Sequence, residues 1–90
     1  MKLLLDLSQS KIAKVSLMEG SQILSERKGP DALKLVDEIL REKGLKLTDI
    51  LEVDSFPGPG SYTGLRIGAA IANALNYSLG RNKIVTPKYD

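Results

Sequence analysis

Ninety residues with a formal net charge of +2 make one domain, small enough to bury only roughly 60–65% of its unfolded surface. There is no histidine and no cysteine, which removes Ser-His and Cys-His catalysis, imidazole and thiolate zinc sites and any disulfide framework. The 13 Lys and Arg residues are scattered rather than gathered into a stripe that tracks nucleic acid, no apolar run approaches the ~20 residues of a membrane helix, and Asp6 interrupts an opening run too short for a signal peptide; the expectation is a soluble, cytoplasmic domain with no membrane partner.

The chain opens with three short extended segments, "KLLLDLS" (Lys2 to Ser8), "IAKVSLMEG" (Ile12 to Gly20) and "SQILSERK" (Ser21 to Lys28). The brief linkers Gln9-Ser10-Lys11 and Glu19-Gly20-Ser21 predict two hairpins and hence a three-stranded meander. The apolar period then changes, and a helix is predicted from Pro30 to Lys43. Pro30 suits its first turn, Asp31 its positive end, Arg41 and Lys43 its last turn and Gly44 its C-cap. Ala32, Leu35, Val36 and Ile39 form one stripe, widened by Leu33 and Leu40. "DILEVDSF" (Asp49 to Phe56) reads as a fourth strand, Thr63 to Gly80 as a second helix and "NKIVTP" (Asn82 to Pro87) as a fifth strand. The order βββαβαβ predicts an α/β domain with a five-stranded mixed sheet, its later strands parallel through right-handed crossovers.

Strand alternation assigns the faces. Leu3, Leu5 and Leu7 oppose Leu4, Asp6 and Ser8; Ala13, Val15 and Leu17 oppose Lys14 and Ser16; Leu51 and Val53 oppose Glu52 and Asp54. Two helices cover one face, and the other is expected to meet water, with Leu4, Ile12 and Met18 as exceptions. This points to a naturally short, complete two-layer domain. The second helix carries two apolar stripes, Leu65-Gly68-Ala72-Leu75-Leu79 and Ile67-Ala70-Ile71-Ala74. Either both pack inside the domain or one meets a partner. Gly64, Gly68 and Ala72, four apart, would admit another helix closely.

"DSFPGPGSYTGLRIG" (Asp54 to Gly68) has the strand, glycine loop and helix order of a phosphate site. Both standard phosphate patterns fail on detail. Gly64 is followed by Leu65 and Arg66 rather than Lys and Ser or Thr, and Gly58, Gly60 and Gly64 are one residue too widely spaced for a dinucleotide fingerprint. What remains is helix-start amides beside Ser61 and Thr63 that could hold an anion. The alternative is structural. Pro57 and Pro59 stiffen a turn, Gly58 and Gly60 adopt angles other residues avoid, Ser61 or Thr63 caps the helix, and Tyr62 and Arg66 are presented for recognition.

"GPGSYTGLRIG" (Gly58 to Gly68), preceded in order by "LLLDLSQS" (Leu3 to Ser10), a meander, a helix and a strand, resembles the signature of the TsaB (YeaZ) family, with Tyr62 where Phe is common. The resemblance spans the chain but only the amino-terminal half of a usual family member. It implies an actin-like (ribonuclease-H-like) lobe with the second lobe absent, hence no interlobe cleft. It further implies a non-catalytic subunit, without cofactor or metal, in the modification of adenosine-37 of tRNA to threonylcarbamoyladenosine. The implied partners are a TsaD-type catalytic subunit and a TsaE-like ATPase, with tRNA reached only indirectly and homodimers formed through a related helix surface. That surface would comprise Leu33, Leu40, Tyr62, Leu65, Arg66, Gly68, Ala69, Ala72 and Leu75. Two departures from the pattern are the missing His-Ser before Asp31 and the absence of glycine from Asp6 to Ser10. The alternative is a small nucleotide- or phosphate-binding domain of the same fold, with Asp6, Ser8, Gly60, Ser61 and Thr63 near the ligand. A third reading makes it an enzyme, Asp6 and Asp54 holding Mg²⁺ from one sheet face.

Overall fold

The computed structural model describes residues 1–9, 11–58 and 60–80. The expected fifth strand, Asn82–Pro87, lies outside the described residues. Strands β1 (Lys2–Gln9), β2 (Ile12–Glu19) and β3 (Gln22–Gly29) form the expected meander, followed by helix α1 (Ala32–Lys43), strand β4 (Glu52–Ser55) and helix α2 (Tyr62–Ser78). The described strands lie in the order β3-β2-β1-β4. β1 runs antiparallel to β2 and parallel to β4, so the chain passes from β3 across the sheet through α1, as a helical crossover requires.

Register explains the core. Leu3 stands beside Leu17 and Val53, and Leu5 beside Val15, so these five side chains share one face and all are fully buried. Both helices cover that face. On β3, Arg27 reaches Glu38 (3.4 Å) and Glu42 (3.5 Å) of α1. Toward β1 and β4 on the same face, Gly68 of α2 lies against Leu7 and Ser55. The opposite face carries Lys2, Asp6, Lys14, Glu26, Lys28, Glu52 and Asp54, as expected. Leu4 and Met18 are half-buried there. Ser16, expected on the wet face, is buried because its hydroxyl donates to Glu26 (2.9 Å), whose long side chain lies over it.

Local chemistry moves four boundaries. α1 starts at Ala32 rather than Pro30, because the Asp31 carboxylate takes the N-cap and accepts from the Leu33 (3.1 Å) and Lys34 (3.3 Å) amides. Its end is as expected: Gly44 is left-handed (φ 66°), and Leu45 N–H returns to the Leu40 carbonyl at 2.8 Å. Leu40 joins the buried stripe, but Leu33 is 53% exposed. The fourth strand begins at Glu52 rather than Asp49. A 3₁₀ turn occupies Leu47–Asp49, closed by Lys46 N–H donating to the Asp49 carboxylate at 2.8 Å. Ile50 therefore fills the core beside Val53, and Leu51, expected inside, is 75% exposed. The second helix begins at Tyr62 and ends at Ser78, one or two residues before the expected limits.

Substitutions on α1 separate these roles. Asp31→Ala should lower stability by about 1 kcal/mol through loss of the cap, Leu33→Ala should change it by less than about 0.5 kcal/mol, and Leu5→Ala should cost about 2–5 kcal/mol. Urea unfolding followed by circular dichroism checks the ranking; a Leu33→Ala cost equal to that of Leu5→Ala would contradict the assigned burial.

Candidate functional site

The glycine loop is built on the end of β1. Beyond β4, Phe56 N–H donates to the Leu5 carbonyl (2.7 Å), and after the turn Ser61 N–H donates to the Ser8 carbonyl (2.7 Å). Gly58 has a φ of 116°, which side chains resist. A Cβ on Gly60 would stand 2.5 Å from the Ser8 Cβ and 2.8 Å from its carbonyl oxygen. At Gly64 the limit is harder: a Cβ would lie 1.8 Å from the Leu7 carbonyl oxygen. These two glycines are required by the contact of α2 with the β1 backbone.

The residues nominated for phosphate or nucleotide largely come together here. Asp6 accepts from the Ser8 amide (3.0 Å) and from its hydroxyl. Ser8 accepts from the Ser61 amide, and Ser61 Oγ accepts from Gly64 N–H at 3.3 Å, making Ser61 rather than Thr63 the N-cap of α2. Asp6, Ser8, Gly60 and Ser61 thus form one cluster whose named donors are met by its own acceptors. Thr63 is exposed and lines, with Ser61, a neighbouring groove. Asp54 stands beside Leu4 in the register, on the same sheet face as Asp6. Among the described residues no three His, Cys, Asp or Glu side chains gather to hold a metal ion.

α2 divides into two faces. Leu65, Gly68, Ala69 and Ala72 are buried on the sheet, and Leu75 is half-buried. Of the residues nominated for partner contact, Leu65, Gly68, Ala69, Ala72 and Leu40 are thus turned into this chain's own core, whereas Leu75 keeps part of its surface. The small residues Gly64, Gly68 and Ala72 admit the sheet, not a foreign helix. The other stripe faces outward. Ile67 is 46% and Tyr77 84% exposed, and Ala70 and Ala74 are exposed between them. Arg66 is also exposed, beside Ile67. Between this face and α1 runs a groove of about 460 Å³, its walls including Leu7, Ile12, Ala13, Ala32, Ile67 and Ile71, with Lys11 and Asp31 at its polar rim. Leu33 is exposed on α1. No helix among the described residues is long and apolar enough to cross a membrane.

Asn76 was not singled out by sequence reasoning. It is fully buried, with both carboxamide groups bonded to Val53. Its spacing from Leu65, Ala69 and Ala72, which places it on the inward stripe, was the available signal.

Comparison with known proteins places this geometry. The sequence model of the family described as TsaD, tRNA N6-adenosine threonylcarbamoyltransferase, matches residues 23–85, and the chain belongs to that family. It is 44% identical over 45 residues to the tRNA threonylcarbamoyladenosine biosynthesis protein TsaB of Haemophilus influenzae, an alignment covering 50% of this chain and 19% of that protein. It is 49% identical over 43 residues to the protein of the same name from Escherichia coli, covering 48% and 19%. Among solved structures, YeaZ from Pseudomonas aeruginosa superposes with a TM-score of 0.75 at 26% identity over 96% of this chain and 44% of that one. A crystal structure described as an uncharacterized protein with similarity to peptidase YeaZ from Pseudomonas aeruginosa gives 0.74 at 26% identity over 96% and 42%. The likeness within the family is therefore to TsaB, or YeaZ, proteins, and the chain spans less than half the length of each of these relatives.

The two roles of glycine in the motif can be told apart. Gly64→Ala should cost about 3 kcal/mol, since the clash is with backbone. Gly68→Ala, whose Cβ would make ordinary contacts at 3.5 and 3.6 Å, should be neutral or stabilise by up to about 1 kcal/mol through helix propensity. Thermal unfolding of the two variants side by side is the check, and equal effects would refute the clearance assigned to Gly64.

Proposed function

We propose that this family member is a non-catalytic binding subunit in the formation of threonylcarbamoyladenosine on tRNA, a single actin-like lobe that docks through its helices onto a TsaD-type catalytic subunit in the cytoplasm. A TsaE-like ATPase would join that assembly, and tRNA would be met only through the catalytic partner. The observation that carries this reading is the outward face of α2, where Ile67, Ala70, Ala74 and Tyr77 lie in the open beside the apolar groove that leads to α1. An apolar helix face with small residues at its centre suits close contact with another helix. The closed hydrogen bonding of Asp6, Ser8 and Ser61 argues in the same direction, because it leaves these groups engaged with one another rather than with a ligand.

Calorimetric titration against a TsaD-type catalytic subunit tests the docking face. Ile67→Glu and Ala74→Glu should each weaken binding at least about tenfold, a loss of about 1.4 kcal/mol, with the circular dichroism spectrum unchanged. Ala72→Glu should instead unfold the chain, since Ala72 is fully buried. Wild-type affinity in both surface variants would sink the proposal. The non-catalytic assignment has its own check: the isolated chain should hydrolyse ATP no faster than buffer. Turnover that disappears in a folded Asp6→Ala variant would establish an enzyme.

A further inference from the structure

Lysines that lie apart in the sequence converge at one end of the fold. Lys14 of β2 stands directly opposite Lys28 of β3 in the antiparallel register. The turn between β1 and β2 carries Lys11, whose backbone is left-handed (φ 66°), and the first turn of α1, entered straight from β3, carries Lys34. Neighbouring hollows join the four. One of about 40 Å³ is lined by Gln9, Lys14 and Lys28 among others, and one of about 260 Å³ by Lys28 and Lys34. Lys11, with Gln9, borders the groove between the helices. Lys11, Lys28 and Lys34 are exposed and Lys14 is half-buried.

Among the described residues these lysines close no ion pair; the pairs present join Arg27 to Glu38 and Glu42, and Arg41 to Asp37. The carboxylates nearest them are held by neutral donors: Asp6 by the Ser8 amide and hydroxyl, Asp31 by the Leu33 and Lys34 amides, and Glu26 by the Ser16 hydroxyl. Like charges directly opposite one another weaken a sheet. At the other end of β1, by contrast, Lys2 has Glu52 as its cross-strand neighbour. An anion laid across Lys14 and Lys28 would remove their repulsion. We propose that this end of the domain contacts the phosphodiester backbone of RNA. The proposal rests on the reading of the chain as a tRNA-modification subunit: RNA recruited by the catalytic partner is steadied here. An ammonium recognises phosphate as a point charge. The residues lining these hollows include no aromatic side chain on which a base could stack, so the contact is with the backbone and blind to sequence. Lys14 and Lys28 lie on the sheet face away from the helices, and a partner seated on α2 leaves them open.

Titration of a fluorescent, unmodified tRNA transcript, followed by anisotropy, tests it on the isolated chain at low salt and on the chain assembled with a TsaD-type catalytic subunit. In both, the double variant Lys14→Gln, Lys28→Gln should bind RNA at least about tenfold more weakly, and the fall of log affinity with log salt should become shallower by about one per lysine. Lys43→Gln with Lys46→Gln, at and just beyond the far end of α1, should change neither. Calorimetry against the catalytic subunit separates this contact from the docking face. The Lys14 and Lys28 double variant should dock with wild-type affinity, and Ala74→Glu should leave RNA binding by the isolated chain unchanged. RNA affinity and salt slope equal to wild type in the Lys14 and Lys28 double variant would overturn the proposal. So would equal losses from the Lys43 and Lys46 variant, or a loss confined to affinity for the catalytic subunit, which would assign these lysines to an acidic protein surface.

Discussion

The approach of α2 to the end of β1 leaves no space for a side chain at Gly64, where a Cβ would lie 1.8 Å from the Leu7 carbonyl oxygen. That contact sets how deep the helix sits on the sheet. At this depth the inward positions need little volume, and Gly68, Ala69 and Ala72 occupy them. Farther along the same stripe, Asn76 meets the Val53 backbone. Ser61 fixes the helix at its start by two bonds, its amide to the Ser8 carbonyl and its hydroxyl from Gly64 N–H. The loop that precedes the helix follows from this geometry: it must pass Ser8 at Gly60 without a side chain and turn at Gly58 with a positive φ.

A deep helix with a small inward face leaves larger apolar residues outside. Ile67 and Tyr77 are the result, with Ala70 and Ala74 between them and the groove toward α1 alongside. For a 90-residue chain this matters energetically. A domain of this size holds a margin of about 5–10 kcal/mol at most, and each 100 Å² of apolar surface covered by a partner adds roughly 2.5 kcal/mol to the assembled state. The same packing that secures α2 on its own sheet thus creates a reason to associate.

The sequence disclosed the elements better than their orientation. The meander, both helices, the Gly44 cap and the alternation of Leu3, Leu5, Val15 and Leu17 all follow from period and turn chemistry. Which stripe of α2 faces the sheet did not, because both stripes are apolar and the choice depends on the clearance at Gly64, a contact with a residue 57 positions earlier in the chain. The exchange of Ile50 for Leu51 in the core arose from one local bond between Lys46 and Asp49, which turns the backbone before the strand begins. Of the candidate site, the sequence identified Asp6, Ser8, Gly60 and Ser61, which the fold brings together. It could not show that their hydrogen bonds would close on one another.

That closure bears on how the glycine motif is to be understood. A phosphate cradle works by presenting unspent amides to an anion. Here the Ser8 amide and hydroxyl go to Asp6, the Ser61 amide goes to the Ser8 carbonyl and the Gly64 amide goes to Ser61. The cluster also carries the carboxylate of Asp6, which would oppose an incoming anion. Three of the glycines in "GPGSYTGLRIG" have a geometric cause within the chain, Gly58 its backbone angle and Gly60 and Gly64 their clearance from β1, while Gly68 has room for a Cβ beside Leu7 and Ser55. Helix-on-strand packing thus supplies a structural reason for Gly58, Gly60 and Gly64, whatever the loop binds, and the same packing sets which face of α2 is left outward.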